Sequence, residues 1–167
     1  MKVASLFKKY KVKQREGKVY DPVRGKYVHA TSEEYVRQKT IQFLIDYMEI
    51  PSERIVVERS LSKLGVEGDR RRIDIGFFDP EGGFMAVVEC KESLVGFNEN
   101  AFVQAQDYLF DLHARFFFVT DGIHYCELEL SFAIHPNSHP NHWGLTLNWG
   151  LLNWGLPLYR CTKIKKM

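Results

Sequence analysis

An α/β fold built around one mixed β-sheet is the architecture this sequence predicts, and three observations predict it. Helical patterns run from Thr31 towards Pro51 and from about Glu99 to His113. Around them lie Arg70–Phe78, Phe84–Cys90 and Arg115–Thr120, each apolar on both faces for most of its length, as strands inside a sheet are. Asp79-Pro80-Glu81-Gly82-Gly83 and Asp121-Gly122 are turn sequences that fold neighbouring strands into hairpins. The chain has 167 residues, enough for one domain with a core, and its 45% hydrophobic and 26% charged residues exclude disorder for the bulk.

Each element follows from local chemistry. Residues 1–29 lack a sustained period and read as an irregular arm or a short strand pair around Val19–Tyr27. They hold nine Lys or Arg against Glu16 and Asp21, a balance of +7, which leaves −5 for the rest of a chain whose net charge is +2. A basic arm on a mildly acidic body suits a polyanion, usually nucleic acid, and suits equally a solvated terminus. Thr31 with Glu34 fits a capping box, in which hydroxyl and carboxylate satisfy each other's orphan amides. Tyr35, Val36, Ile41, Leu44, Ile45 and Met48 then recur at helical spacing until Pro51. Ile55–Glu58 reads as a strand and Leu61–Asp69, with Gly65 and Gly68, as a loop. Asn98 caps the second helix, whose face carries Ala101, Phe102, Ala105, Leu109 and Leu112, and Ile123–Leu130 completes the last hairpin.

Beyond Leu130 the character changes. His135, His139 and His142 lie in a Pro/Asn loop without the paired spacing of a zinc site. Leu147-Asn148-Trp149-Gly150-Leu151 is repeated as Leu152-Asn153-Trp154-Gly155-Leu156, and two copies are too few for a solenoid. Charges at the N-terminus fall where a signal peptide needs its apolar stretch, and no run approaches bilayer length. Three cysteines without a CxxC pair suit a reducing compartment, so the expected location is the cytoplasm.

The chemistry centres on Asp74, Glu89 and Lys91, charged groups at the ends of otherwise apolar strands. A four-residue loop over Pro80–Gly83, with Asp79 opposite Phe84, would set Asp74 directly opposite Glu89. Their Cβ atoms would then lie about 5 Å apart, where like charges repel unless a cation stands between them. Glu89 and Lys91, two apart, share a face. A loop one residue longer would turn one acid to the other face. Hard carboxylate oxygens suit Mg²⁺ or Mn²⁺ rather than zinc, and such an ion can activate water against a phosphodiester. A buried ion pair, with Asp74 or Glu89 on Lys91 or Arg72, satisfies the same spacing.

Asp74, fourteen residues, then Glu89-Cys90-Lys91 resembles the D…ExK core of the PD-(D/E)XK nucleases, and most closely the N-terminal nuclease domain of type I restriction enzyme R subunits. The ordered segments Glu34–Gln38, Arg71–Ile75, Val87–Lys91 and Gln104–Tyr108 carry the likeness, and Phe117–Gly122 resembles the closing strand and turn. The resemblance implies a restriction-endonuclease-like mixed sheet flanked by helices, with an α-β-β-β-α-β core over residues 30–130, between the arm and a tail at 131–167. It implies Asp74 and Glu89 as ligands of Mg²⁺ or Mn²⁺, with the Cys90 backbone carbonyl a third, Lys91 as the catalytic lysine, and Glu34 helping to hold the metal or its water. Gln104 and Tyr108, one turn apart, match a glutamine-x-x-x-tyrosine pattern that supports DNA and active-site geometry. Arg70, Arg71 and Arg72 with Lys8, Lys9, Lys11 and Lys13 are the candidate phosphate contacts, which position DNA without reading it.

The expected function is therefore metal-dependent DNA endonuclease activity in the cytoplasm, with restriction-modification or helicase/translocase motor subunits as partners. A homodimer that cuts both strands is left open. The sequence lacks a Gly-rich phosphate loop, so no motor is expected within it. The rival expectation is a non-catalytic R-subunit module that binds DNA or docks on those partners.

Overall fold

The computed structural model describes residues 10–92, 104, 107–122, 124–129, 160–161 and 165–166. Strands β1 (Gln14–Arg15), β2 (Lys18–Asp21) and β3 (Lys26–His29) form a small antiparallel sheet in which Val19 pairs with Val28 and Tyr20 with Tyr27. The strand pair expected around Val19–Tyr27 is thus present and has gained a third strand. Far from dangling, this segment buries Val19 and Asp21 completely.

Helix α1 (Ser32–Asp46) begins where the cap chemistry places it, with the Thr31 hydroxyl accepting the Glu34 amide at 3.1 Å. The reciprocal half of the expected capping box does not form. The Thr31 amide donates to the His29 carbonyl instead, and the Glu34 carboxylate is held by Arg24, Arg37 and Gln38. The helix also ends before Met48, which was expected on its apolar face and is 49% exposed. There the amides of Tyr47 and Met48 both turn back to the Phe43 carbonyl. Along α1 the buried stripe is polar in its first half (Glu34, Arg37, Gln38, Thr40) and apolar in its second (Ile41, Leu44).

The main sheet comprises β4 (Ile55–Ser60), β5 (Arg72–Phe78), β6 (Phe84–Cys90), β7 (Phe116–Thr120), β8 (His124–Glu129), β9 (Arg160–Cys161) and β10 (Lys165–Lys166). Its order is β10-β8-β7-β6-β5-β4, with β9 also beside β8. The β6–β7 pair is parallel and its neighbours antiparallel, so the sheet is mixed as expected. A parallel pair needs a crossover, and the second helix, described at 104 and 107–111, lies in it. The predicted start of that helix at Asn98, its Ala101, Phe102 and Ala105, and the His-rich loop and Trp-Gly repeat lie outside the described residues. Part of the predicted 61–69 loop is a 3-10 turn, Leu61–Leu64, with Leu61 buried. Helix, three strands, helix, strand is the α-β-β-β-α-β core that the sequence predicts.

Each face of the sheet has its own core. Ile41 and Leu44 of α1 pack with Ile55, Val57, Ile75, Phe77, Ala86, Val88 and Cys90. Tyr108 and Leu109 of the second helix, with Leu112 in the turn after it, pack with Ile73, Val87, Phe117 and Val119. This two-sided burial is why β5, β6 and β7 read as apolar on both faces. Ile73 and Ile75 stand two apart on β5 yet belong to opposite cores, so the alternation breaks at Asp74. Across from that break Glu58 has φ +51°, and the β4–β5 ladder skips from Val57–Ile75 to Arg59–Ile73. A left-handed glutamate within a strand is a costly local conformation, and the Glu58 carboxylate here lies 2.8 Å from Arg37.

The β5–β6 hairpin corrects one expectation and preserves another. Phe78, not Asp79, pairs with Phe84, so the connection is one residue longer than predicted. The Asp79 carboxylate accepts the Gly83 amide at 2.7 Å, which holds the wider turn closed. A register shift between Phe77 and Phe78 then absorbs the extra residue, and Phe77–Ala86, Gly76–Val87 and Ile75–Val88 keep the predicted alignment. Gly76 is required here: a Cβ on it would meet Phe84 Cζ at 2.5 Å and Ile73 Cδ1 at 2.7 Å.

Candidate active site

The β5–β6 pairs run as far as Ile75–Val88, and Asp74 and Glu89 come next on the two strands. The Cys90 amide donates to Asp74 Oδ2 at 2.7 Å, which ties the two strands together at this point. Lys91 Nζ donates to Glu89 Oε1 at 2.7 Å, so the glutamate and lysine share a face as their spacing requires. Glu89 Oε2 is buried and has no hydrogen-bond partner among the described residues. Burial first, and then the charge of Asp74, raises the Glu89 pKa above the usual glutamate value against the opposing pull of Lys91. For Lys91, burial would favour the neutral amine, yet its hydrogen bond to Glu89 and the charges of Glu89 and Asp74 raise its pKa. Lys91 is accordingly a fixed ammonium at neutral pH.

The polar half of α1 closes the other side. Arg37 is buried, and its Nη2 lies 2.7 Å from Asp74 Oδ1 and 2.8 Å from Glu58 Oε1, with Glu33 at 3.5 Å. Its Nη1 pairs with Glu34 Oε2. Burial by itself would lower the Arg37 pKa, and the charges of Asp74, Glu34 and Glu58 together raise it. Glu34 Oε1 accepts from Arg24 at 2.8 Å and from Gln38 at 2.9 Å, so both Glu34 oxygens are engaged by cations or amides. Burial and the nearby Asp74 raise Glu33.

Sequence reasoning found Asp74, Glu89, Lys91 and Glu34, and the structure brings them to one end of the sheet. It missed Arg37 and Glu58. Arg37 could have been noticed, because it stands four and seven residues before Ile41 and Leu44, on the helix stripe that must be buried. Glu58 had no local signal, since its place depends on a left-handed backbone and a partner strand.

The remaining candidates are spread more widely. Gln104 Nε2 donates to the Tyr108 hydroxyl at 3.0 Å, which donates to the Arg72 carbonyl at 3.1 Å, so the pair braces the strand leading to Asp74. Arg71 is held by Asp69, by Asp107 at 3.1 Å and by Asp111 at 2.7 Å, and its guanidinium lies over the Tyr108 ring. It ties β5 to the second helix rather than facing the acids. Arg72 is 65% exposed and contacts Glu58 at 3.3 Å, and Arg70 is exposed. Lys11 and Lys13 line a cleft of about 480 Å³ with Tyr10, Tyr20 and Tyr47, beside the far end of α1. Lys8 and Lys9 lie outside the described residues. The Cys90 thiol is fully buried and pushed well up by that burial, so it is chemically quiet.

A family model described as type I restriction enzyme R protein N terminus matches residues 32–133. The chain belongs to that family. Membership points to a role in a restriction system and to interaction with DNA. No curated protein sequence matches the chain. The matched span begins with α1 and takes in every residue from Glu33 to Tyr108 placed above.

The divalent ion implied by the resemblance can be tested against these side chains. Among the described residues, no three His, Cys, Asp or Glu side chains form a ready-made metal cage. The fit rests on Glu89 Oε2, a buried oxygen without a partner, and on the mutual repulsion of Glu89 and Asp74 that raises Glu89. Arg37 and Lys91 each neutralise one of these carboxylates, and Glu89 Oε2 is the oxygen whose hard-donor chemistry suits a divalent ion. Among the described residues, no helix is long and apolar enough to cross a membrane.

Proposed function

We propose that this domain is a metal-dependent DNA endonuclease of the type I restriction R-subunit kind, hydrolysing phosphodiesters with Mg²⁺ or Mn²⁺. The observation that carries the reading is the neighbouring acids Asp74 and Glu89, tied by the Cys90 amide, with one Glu89 oxygen buried without a partner among the described residues and Lys91 on the other. Asp74 and Glu89 would hold the ion, with the Cys90 carbonyl beside them. A divalent ion held there would lower the pKa of a bound water so that it could serve as the nucleophile, and would offset the negative charge that builds on the phosphate.

This chain's own residues do the rest. Lys91, paired with Glu89, donates hydrogen bonds to the scissile phosphate or its attacking water. Asp74 is aimed by the Cys90 amide and Arg37, so its carboxylate is oriented before substrate arrives. Glu34 acts as a positioning residue through Arg37. Tyr108 and Gln104 keep the start of β5 in place. Lys11 and Lys13 add salt-sensitive backbone affinity. Motor and modification subunits would deliver the substrate.

Supercoiled plasmid incubated with the purified chain and Mg²⁺ or Mn²⁺ tests the reading. Nicking or linearisation that disappears in EDTA and in Lys91→Ala is expected. A folded protein that binds DNA but never cuts it, alone or with motor partners, would instead identify a non-catalytic module.

A further inference from the structure

Arg37 stands in an arrangement more elaborate than orienting Asp74 requires. One guanidinium, 5% exposed, touches four carboxylates: Glu33, Glu34, Glu58 and Asp74. Two further arginines neutralise the outside of this cluster, Arg24 on Glu34 and Arg72 on Glu58. On the opposite side of Asp74 the pattern reverses. Glu89 has Lys91 on one oxygen and no hydrogen-bond partner among the described residues on the other.

We propose that Arg37 permanently occupies the position beside Asp74 where a second cation would bind, and so restricts the site to a single divalent ion held by Glu89 and Asp74. The inference rests on the metal-dependent reading above and decides the number of ions it uses. Three arguments carry it. A guanidinium cannot lose its proton at any working pH, so its charge cannot be switched off to admit a metal. Its position is over-determined by α1, because Glu33 and Glu34 stand four and three residues before it on the same helix face. The φ of +51° at Glu58 is a strained backbone for an L-residue in a strand, and it is tolerated here where the Glu58 carboxylate lies 2.8 Å from Arg37.

An ion approaching Glu34, Glu58 or Asp74 Oδ1 therefore meets a fixed positive charge and oxygens already occupied. An ion approaching Glu89 Oε2 meets a buried oxygen with no competing donor among the described residues. Catalysis in this domain then relies on one ion and two fixed side-chain cations, Arg37 and Lys91.

Mn²⁺ counted by electron paramagnetic resonance and by calorimetry, on the full chain without DNA, tests this. Wild type is expected to bind one ion, and Arg37→Met, which keeps bulk without charge, is expected to bind two. Arg37→Lys should bind one. If Arg37→Met is unfolded in EDTA, recovery of its fold on adding Mn²⁺ is expected, and failure to recover counts against the proposal. Two ions on wild type, or one on folded Arg37→Met, overturns the single-ion assignment and leaves the nuclease reading standing. No ion on any protein overturns the metal-dependent reading itself.

Discussion

Replacing Glu89 with glutamine should make the protein more stable while removing its response to metal. The side chain keeps its shape, and the buried negative charge goes. Two unit charges roughly 5 Å apart repel by about 3 kcal/mol at an effective dielectric constant of about 20. Lys91 offsets part of this, but its side chain is 38% exposed, and such a pair is worth no more than about 1 kcal/mol. Arg37, paired with Asp74, screens the repulsion further. The expected net gain is about 1 kcal/mol, or roughly 2–4 °C in Tm for a chain of this size. The sign agrees with the direction of the Glu89 pKa. A carboxylate that binds its proton more tightly when folded loses stability as pH rises from the ordinary glutamate range through its raised value. Wild type should therefore weaken across that window, and Glu89→Gln should flatten most of the slope, with Glu33 contributing a remainder of the same sign. Thermal melts across pH, with and without Mn²⁺, measure all of this. An ion present at about a hundred times its Kd should stabilise wild type by about 2.7 kcal/mol and leave Glu89→Gln unmoved. A lower Tm for Glu89→Gln, together with an unchanged metal response, would refute the reasoning.

Three further outcomes follow from the packing. Gly76→Ala should cost about 1–3 kcal/mol in denaturant melts, because the new methyl meets the Phe84 ring and Ile73 within β5. Tyr108→Phe removes a hydroxyl that donates to the Arg72 carbonyl, so it should lower stability by about 1–2 kcal/mol and reduce cleavage by loosening β5, while leaving the Mn²⁺ count unchanged. Replacing Lys11 and Lys13 together by alanine should weaken binding to any DNA sequence about equally and lower the slope of log Kd against log salt by about 1.8, read by fluorescence anisotropy. Sequence-dependent loss from that double variant would contradict backbone contact.

How much was legible beforehand depended on the range over which each feature is determined. The start of α1 was readable because a Thr31 hydroxyl three residues from its amide partner is a local fact. The strands of the sheet were readable because burial on both faces leaves an unbroken apolar run. The alignment of Ile75 with Val88, next to the two acids, was readable from the hairpin, although the chain reached it by a wider turn and a compensating bulge rather than by the tight loop first expected. Local periodicity fixes the parity of a hairpin, and it does not reveal where an extra residue will be absorbed.

What tertiary structure alone decided is the electrostatic character of the site. Arg71 read as one of three basic residues open to phosphate, and its Asp107 and Asp111 partners, 36 and 40 positions away, make it a brace between strand and helix. Glu34 read as a ligand, and contacts with Arg24 and Arg37 engage both of its oxygens. Arg37 and Glu58 come together because α1 lies on the same face as a strand whose backbone turns left-handed at one residue. By itself the sequence determined the α/β architecture, the family and the central pair of acids, since these follow from spacing along the chain. Which charges are paired and which oxygen is left open was settled by contacts between distant segments, because Coulomb energies depend on distance in space, and the order of residues along the chain does not specify that distance.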